Sequence, residues 1–317
     1  MAEELSHDLD ITVVIPLLDE QDSIEQLYHQ VDEALSAEFT YEMIFVDDGS
    51  KDNSWAVITN LHDNQPHVRG IQFRRNYGKS IALQKGFESA RGAYVITIDA
   101  DLQDDPAEIP GLVEKLSQGY DLVSGWKQKR KDPISKTIPS RFFNFVTSLA
   151  TGIKLHDFNC GLKAYRREVI ENIRLYGELH RYVPFIVYEQ GYTRITEKKV
   201  NHRERQHGDS KFGFSRFIKG FLDLITLLFL SSYIRRPMHF FGSIGTLFLI
   251  FGGGIVLYLT IMRLFFDVFL TGRPLFLFGI LFLLLGVQFF SIGFLGEMWT
   301  QSQNKEAVDN VNIRSRL

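Results

Sequence analysis

Tyr94-Val95-Ile96-Thr97-Ile98-Asp99-Ala100-Asp101-Leu102-Gln103-Asp104-Asp105-Pro106 is the stretch of this 317-residue chain from which the remainder can be read. Its first half is a short apolar, β-branched run, the signature of a buried strand. The run stops at Asp99, carboxylates follow, and Pro106 occupies the opening position of a helix. The same succession recurs on the N-terminal side. Ile11 to Pro16, Tyr41 to Asp47, Val68 to Phe73 and Tyr120 to Ser124 also read as strands, and helical stretches lie between them near Ser23 to Leu35, Asn53 to His62, Lys79 to Arg91 and Ala107 to Leu116. Strands alternating with helices of this length predict right-handed βαβ units and a mostly parallel, Rossmann-like sheet covered on both faces. Ligands of such sheets bind beyond the carboxyl ends of the strands. There the sequence puts Asp19 and Glu20 after the first strand, Asp47 and Asp48 after the second, and Asp99 and Asp101 after the fourth. Acidic groups leaving three strands toward one crevice point to a site.

Two carboxylates at i and i+2 of a strand exit can share one hard divalent cation, Mg²⁺ or Mn²⁺, that also holds diphosphate oxygens. Asp99 and Asp101 are the metal candidates. In Phe45-Val46-Asp47-Asp48-Gly49-Ser50-Lys51-Asp52-Asn53-Ser54 a second strand runs into a turn. Asp47 and Asp48 can accept from the N–H and O–H groups of a base or ribose, and Ser50 or Asp52 can cap the next helix.

Beyond residue 126 the chain turns irregular and basic, with Lys127, Lys129, Arg130, Lys131, Lys136 and Arg141, and residues 126–210 read as loops and helices on the far side of the crevice. From Phe212 to Tyr233 apolar residues recur at helical spacing among Lys211, Arg216 and Lys219, as in a helix lying in a membrane interface. Then 26 residues between Arg236 and Arg263, and 23 between Arg273 and Glu297, contain no Asp, Glu, Lys or Arg. Each exceeds the roughly 20 helical residues that cross a bilayer core. Only Leu264 to Gly272 separate the two basic residues at the turn, which predicts an antiparallel hairpin. Arg216, Lys219, Arg235, Arg236, Lys305, Arg314 and Arg316 cluster at its outer ends, against Arg263 and Arg273 at the turn, placing both ends in the cytoplasm of an inner or plasma membrane. The domains expected are a catalytic domain over 1–210, an interface helix region over 211–234, two membrane helices within 235–299 (about 237–263 and 274–297), and a cytoplasmic tail over 300–317. A net charge of −3 gives no sign of a nucleic-acid-binding face. The lone Cys160 leaves no internal disulfide to form.

Six stretches, taken in order, resemble one family: Val14-Ile-Pro-Leu-Leu-Asp-Glu20, Val46-Asp-Asp-Gly-Ser50, Arg75-Asn-Tyr-Gly-Lys79, Asp99-Ala-Asp-Leu-Gln103, Asp157-Phe-Asn-Cys-Gly161 and Gly208-Asp-Ser-Lys-Phe212. They are similar to family 2 glycosyltransferases of the GT-A fold, in the polyprenyl-phosphate branch that includes dolichyl-phosphate mannose synthase and carries two C-terminal membrane helices. Leu17-Leu18-Asp19 departs from the aromatic and Asn more usual before the Glu, which bears on the base contact. The resemblance implies that Pro16 and Glu20 line the nucleotide pocket, that Asp48 contacts the base and that Lys79 approaches the donor. It further implies that Asp99, Asp101 and Gln103 hold the metal and the donor diphosphate, and that Asp157 stands close to the reacting sugar. Asp157 and Asp101 are thus the expected catalytic residues. The implied reaction is an inverting transfer of a sugar from a nucleotide-sugar, UDP-linked in preference to GDP-linked, onto a polyprenyl phosphate.

A phosphate monoester has its second pKa near ~6 and is mostly a dianion at neutral pH, so it needs cationic donors more than a general base. Arg130, Ser140, Arg141, Arg203, Arg205 and Lys211 are the expected suppliers. His180, His202 and His207 read as structural or rim residues. In the second membrane helix Gly279, Gly286 and Gly293 recur every seven residues, a small-residue stripe facing Gly252-Gly253-Gly254 of the first helix or a second copy of the chain. Three rival readings are a processive polysaccharide synthase, a transferase with a non-lipid acceptor and a non-catalytic membrane scaffold. The first is opposed by the absence of any Arg-Trp pair, the second by the membrane segments, and the third by the intact strand-end carboxylates.

Overall fold

The computed structural model describes residues 9–128, 144, 145, 147, 148, 151–177, 179–203, 237–266, 269 and 274–307. These form two compact units, one within 9–203 and one within 237–307. The expected interface helix over 211–234 and the end of the tail beyond 307 lie outside the described residues.

The first unit opens with β1 (Leu9–Leu17), α1 (Ile24–Leu35), β2 (Tyr41–Asp47), α2 (Ser54–Asn64), β3 (Val68–Gln72), α3 (Lys79–Ser89) and β4 (Gly92–Thr97). A 3₁₀ turn at Pro106–Glu108, α4 (Ile109–Ser117) and β5 (Leu122–Trp126) follow. Ile24, Leu27, Tyr28, Val31 and Leu35 line the buried stripe that makes α1 amphipathic. Asp105 caps the turn after β4, its carboxylate accepting from the Ala107 amide at 3.2 Å, with Pro106 in the first turn.

The unit then departs from expectation. The stretch read as loops and helices contains two strands, β6 (Lys163–Arg166) and β7 (Ile195–Lys199), with short helices α5 (Arg167–Glu171) and α6 (Val183–Glu189) between them. The seven strands lie in the order β3-β2-β1-β4-β6-β5-β7. All neighbours are parallel except β6, which runs antiparallel to both β4 and β5. A single reversed strand therefore carries the sheet from its N-terminal half into its C-terminal half.

The central strands are nearly continuous apolar runs because both faces are covered. Ile11, Val13, Ile15, Met43, Phe45 and Ile96 pack under α1, α2 and α4 on one face. Val14, Ile44, Val46, Val95 and Tyr165 pack under α3, α5 and α6 on the other. Edge strand β3 buries only Val68 and then alternates between half-buried and exposed positions.

The second unit is two helices, α7 (Pro237–Phe266) and α8 (Pro274–Ala307). Both are long and apolar enough to cross a membrane, α7 over its 30 residues and α8 over Pro274–Met298. Only 17% and 11% of their apolar windows are buried, so their side chains are turned outward, unlike those of a soluble core helix. The small-residue stripe meets α7 as expected. A Cβ on Gly286 would lie 3.0 Å from the Gly245 carbonyl oxygen, and one on Gly252 would lie 2.8 Å from that of Gly279. Of the Gly252–Gly254 run only Gly252 packs this way, because Gly253 and Gly254 face open space.

Candidate active site

The loops after β1 and β2 are stitched together. The Asp19 amide donates to Ser50 Oγ at 2.9 Å and the Lys51 amide donates back to Asp19 Oδ1 at 2.7 Å. The Glu20 amide donates to Ser54 Oγ at 3.0 Å, and the Gln21 amide to Asp52 Oδ2 at 3.1 Å. Asp19 itself sits at φ 55°, a left-handed conformation uncommon for a non-glycine residue and held here by those bonds. Pro16 lies in the buried end of β1, paired with Val46, and Glu20 follows two residues after the partly buried Leu18.

At the end of β2, Asp47 is fully buried and accepts from the Ser50 amide at 2.8 Å and from Gln72 Nε2 at 3.2 Å. Asp48 uses both oxygens on another loop, accepting from the Tyr77 amide at 2.7 Å and the Gly78 amide at 2.9 Å. Burial raises its pKa; the two amides oppose that and Asp47 adds to it, for a net rise. Gly49 closes the turn at φ +78°, where a Cβ would stand 2.6 Å from the Arg75 backbone. The β2 exit thus fixes the backbone of the turn that starts α3, and with it the position of Lys79.

Lys79 Nζ reaches Asp99 Oδ1 at 2.5 Å, so the start of α3 and the exit of β4 meet as an ion pair. Burial alone would raise the Asp99 pKa; Lys79, with Lys127 and Lys163 behind it, draws it down to about 2. Gly161 makes room for this carboxylate, since a Cβ there would lie 2.6 Å from Asp99 Cγ and Oδ2. Two residues on, Asp101 Oδ1 accepts from the Gln103 amide at 3.2 Å across Leu102, which sits at φ 61°. Burial and the charges of Asp99 and Asp104 raise the Asp101 pKa. The strand-exit loop therefore concentrates negative charge that only partly finds cationic partners.

Under that loop Asp104, 1% exposed, is paired with Lys127 Nζ at 2.8 Å. Burial would lower the Lys127 pKa, but the Asp104 carboxylate outweighs it and raises it. Asp157, also 1% exposed, accepts from the Asn159 amide at 3.1 Å, and its carbonyl accepts from Ser124 Oγ at 3.2 Å. The 157–161 loop is thereby fixed to β5 on one side and to β4 on the other, where Thr97 Oγ1 donates to the Gly161 carbonyl at 2.8 Å. Cys160 is buried within it, and burial pushes its thiol up to about 12.

Of the six residues expected at an acceptor phosphate, only Arg203 is described; Arg130, Ser140, Arg141, Arg205 and Lys211 lie outside the described residues. The Arg203 guanidinium pairs with Asp105 at 2.8 Å and donates to Gln30 Oε1 at 2.9 Å, and its amide donates to the Gln103 carbonyl at 2.9 Å. Arg203 thus fastens the segment after β7 to the loop that carries Asp101 and Gln103. The His180 ring is bonded to Ser80 Oγ at 3.1 Å, and its pKa is driven well below that of a free histidine by burial and by Lys79. His202 joins Asp104 in an isolated antiparallel bridge, and His207 is outside the described residues. Three contributors were not singled out from the sequence: Gly161 as space for Asp99, Lys127 as partner of Asp104, and the buried Lys163.

Strand-end carboxylates gathered at the carboxyl edge of a mostly parallel sheet, with a lysine on the first of the Asp-x-Asp pair, define an α/β enzyme of GT-A-like fold. Residues 12–174 match the model of glycosyl transferase family 2. The chain is 38% identical over 303 residues to the dodecaprenyl-phosphate galacturonate synthase of Rhizobium johnstonii, covering 92% of this chain and 87% of that one. It is 36% identical over 291 residues to the undecaprenyl-phosphate 4-deoxy-4-formamido-L-arabinose transferase of Pseudomonas aeruginosa PAO1, covering 90% and 84%. The chain belongs to glycosyl transferase family 2 and is a glycosyltransferase. Among solved structures it resembles the glucosyl-3-phosphoglycerate synthase of Mycobacterium tuberculosis in complex with Mn²⁺, UDP-glucose and phosphoglyceric acid. That likeness has a TM-score of 0.54 and 19% identity over 71% of this chain and 80% of the other, and is one of fold.

Proposed function

We propose that the protein transfers one sugar from a UDP-sugar to a polyprenyl phosphate, with inversion at the anomeric carbon, and that it does so at the cytoplasmic face of a membrane. The observation that carries this reading is that both relatives named above for polyprenyl-phosphate sugar transfer match about nine-tenths of this chain, catalytic unit and apolar helices together.

The donor set of the Asp99 loop suits a divalent cation. Among the described residues no three His, Cys, Asp or Glu side chains are grouped to hold a metal ion unaided. Asp99, Asp101 and Gln103 would supply part of a shell that diphosphate oxygens and water complete, the usual habit of Mg²⁺. The charge crowding that raises the Asp101 pKa is what such a cation relieves. When bound, Mg²⁺ or Mn²⁺ would act as a Lewis acid on the departing diphosphate.

The chain's own residues do the remaining work. Pro16, Glu20 and Asp48 belong to the nucleotide side, where Asp48 shapes the pocket through the turn before Lys79. Lys79 brings a positive charge to the donor end of the crevice. One acceptor phosphate oxygen forms the new bond to the anomeric carbon as the bond to the nucleoside diphosphate breaks on the opposite face. Because the acceptor arrives ionised, Asp157 orients the reacting sugar and need not take a proton. Arg130, Arg141, Arg205 and Lys211, with the Ser140 hydroxyl, supply the phosphate's hydrogen-bond donors, while Arg203 braces the Asp101 loop.

The acceptor is tested by offering membranes containing the protein undecaprenyl phosphate, undecaprenol or a water-soluble alkyl phosphate, with radiolabelled UDP-sugars. Label entering the organic phase with undecaprenyl phosphate alone is expected. Equal transfer to the soluble phosphate would remove the lipid from the account.

A further inference from the structure

Beside Asp99 lies a small pocket lined by Lys79, Thr97, Asn159, Gly161, Lys163 and His180, among others. Its chemistry is dominated by cations. Lys79 is balanced by Asp99, and His180 is kept neutral by its burial and by Lys79. Lys163 is left over. It stands in β6 opposite Thr97 of β4, is 4% exposed, and donates through Nζ to the carbonyl of Cys160. An ammonium has three protons to donate. Among the described residues no carboxylate is in ion-pair contact with it, and the charges of Asp157 and Asp99 act on it only from further off. Burial lowers its pKa below that of a free lysine, against the opposing pull of Cys160, Asp157 and Asp99.

A buried cation with no carboxylate in contact is costly for a fold to keep unless something repays it. A purely structural tie to the Cys160 carbonyl would be made as well by a neutral donor. The position is also specific, because the pocket shares Asp99 and Lys79 with the site described above.

We propose that Lys163 is an anion-receiving group of the donor site, taking an anionic group of the nucleotide-sugar into the pocket beside Asp99. The anion has two possible sources on one donor, a carboxylate on the sugar, as in a uronic acid, or the diphosphate. The inference rests on the donor being a nucleotide-sugar and is independent of the acceptor.

The test is calorimetric titration of the full-length protein in detergent, without lipid acceptor, with UDP, UDP-glucose, UDP-glucuronate and UDP-galacturonate, for wild type, Lys163→Met and Lys163→Gln. Met preserves length and removes the charge; Gln keeps one donor, so a shared effect cannot come from misfolding of either, and thermal unfolding of both is followed alongside. If the carboxylate is the ligand, wild type prefers a UDP-uronate over UDP-glucose, and both variants lose that preference by roughly 10- to 100-fold in Kd while UDP binds as before. If the diphosphate is the ligand, UDP and every UDP-sugar weaken together by the same order. Unchanged Kd values for all four ligands in folded variants would overturn the proposal. Failure of lipid labelling leaves these titrations untouched, so the two readings fall separately.

Discussion

Asp99 illustrates how much a single carboxylate in this fold depends on its neighbours. Lys79 comes from the start of α3, Gly161 from the loop before β6, and neither is near Asp99 in sequence. Gly161→Ala would put a methyl group 2.6 Å from the carboxylate, which must swing off the Lys79 ammonium. The expected result is a fall in turnover of about 10²-fold, because a misplacement near 1 Å at a reacting centre has that order of cost. Thermal unfolding of the variant should change far less than turnover; a variant with wild-type turnover would show that Asp99 does not need its present position. The pair Asp99 and Asp101 was legible from sequence because an apolar run ends on them. The roles of Gly161 and Lys127 were not, since both depend on β6 and on the order in which β4, β6 and β5 pair.

Elements carry the next part of the account. At the end of the sheet away from the site, Glu42 of β2 is fully buried and accepts from Thr12 of β1 at 2.9 Å, from Arg69 of β3 at 2.9 Å and from Arg91, just before β4, at 2.7 to 3.0 Å. One carboxylate thus ties four strands. Burial pushes its pKa up, but the hydrogen bonds from Arg91, Arg69 and Thr12 outweigh this and leave it lowered. A depressed folded pKa means that the native state binds fewer protons than the unfolded chain. The stabilisation is therefore complete above the ordinary Glu value and is lost as pH falls through the lowered folded value. Glu42→Gln should cost about 2–3 kcal/mol in denaturant unfolding at neutral pH, and the gap to wild type should close in acid; a pH-independent gap would contradict this role. Elements also explain what the sequence concealed. β7 is Ile-Thr-Glu-Lys-Lys, an edge strand with no fully buried position, and β6 is four residues with a cation at each end. Neither offers the apolar run that revealed the other five strands. The hairpin was plain from its two uncharged runs. Its contact was half-visible: Gly286→Leu should force α7 and α8 apart at Gly245, lowering thermal stability in detergent by an amount of order 1–3 kcal/mol. Gly253→Leu, which meets nothing within 4 Å, should be neutral; equal effects of the two would refute the packing.

At the scale of the whole molecule, the chain joins a glycosyltransferase unit to a pair of helices able to cross a membrane. The class was legible from motif order across residues 11–212, whereas the basic residues expected on the acceptor side fall mostly outside the described residues, and no spacing in the sequence encodes the sugar. The central claim is that the strand-exit carboxylates drive sugar transfer to a lipid phosphate. Its most direct test is the full-length protein in liposomes containing undecaprenyl phosphate, given Mn²⁺ and radiolabelled UDP-sugars, with wild type beside Asp101→Ala. The account predicts EDTA-sensitive label in the lipid for one donor and a loss of at least ~10²-fold in the variant. Lipid label made equally well by Asp101→Ala, or none from any donor with the wild type, would contradict it.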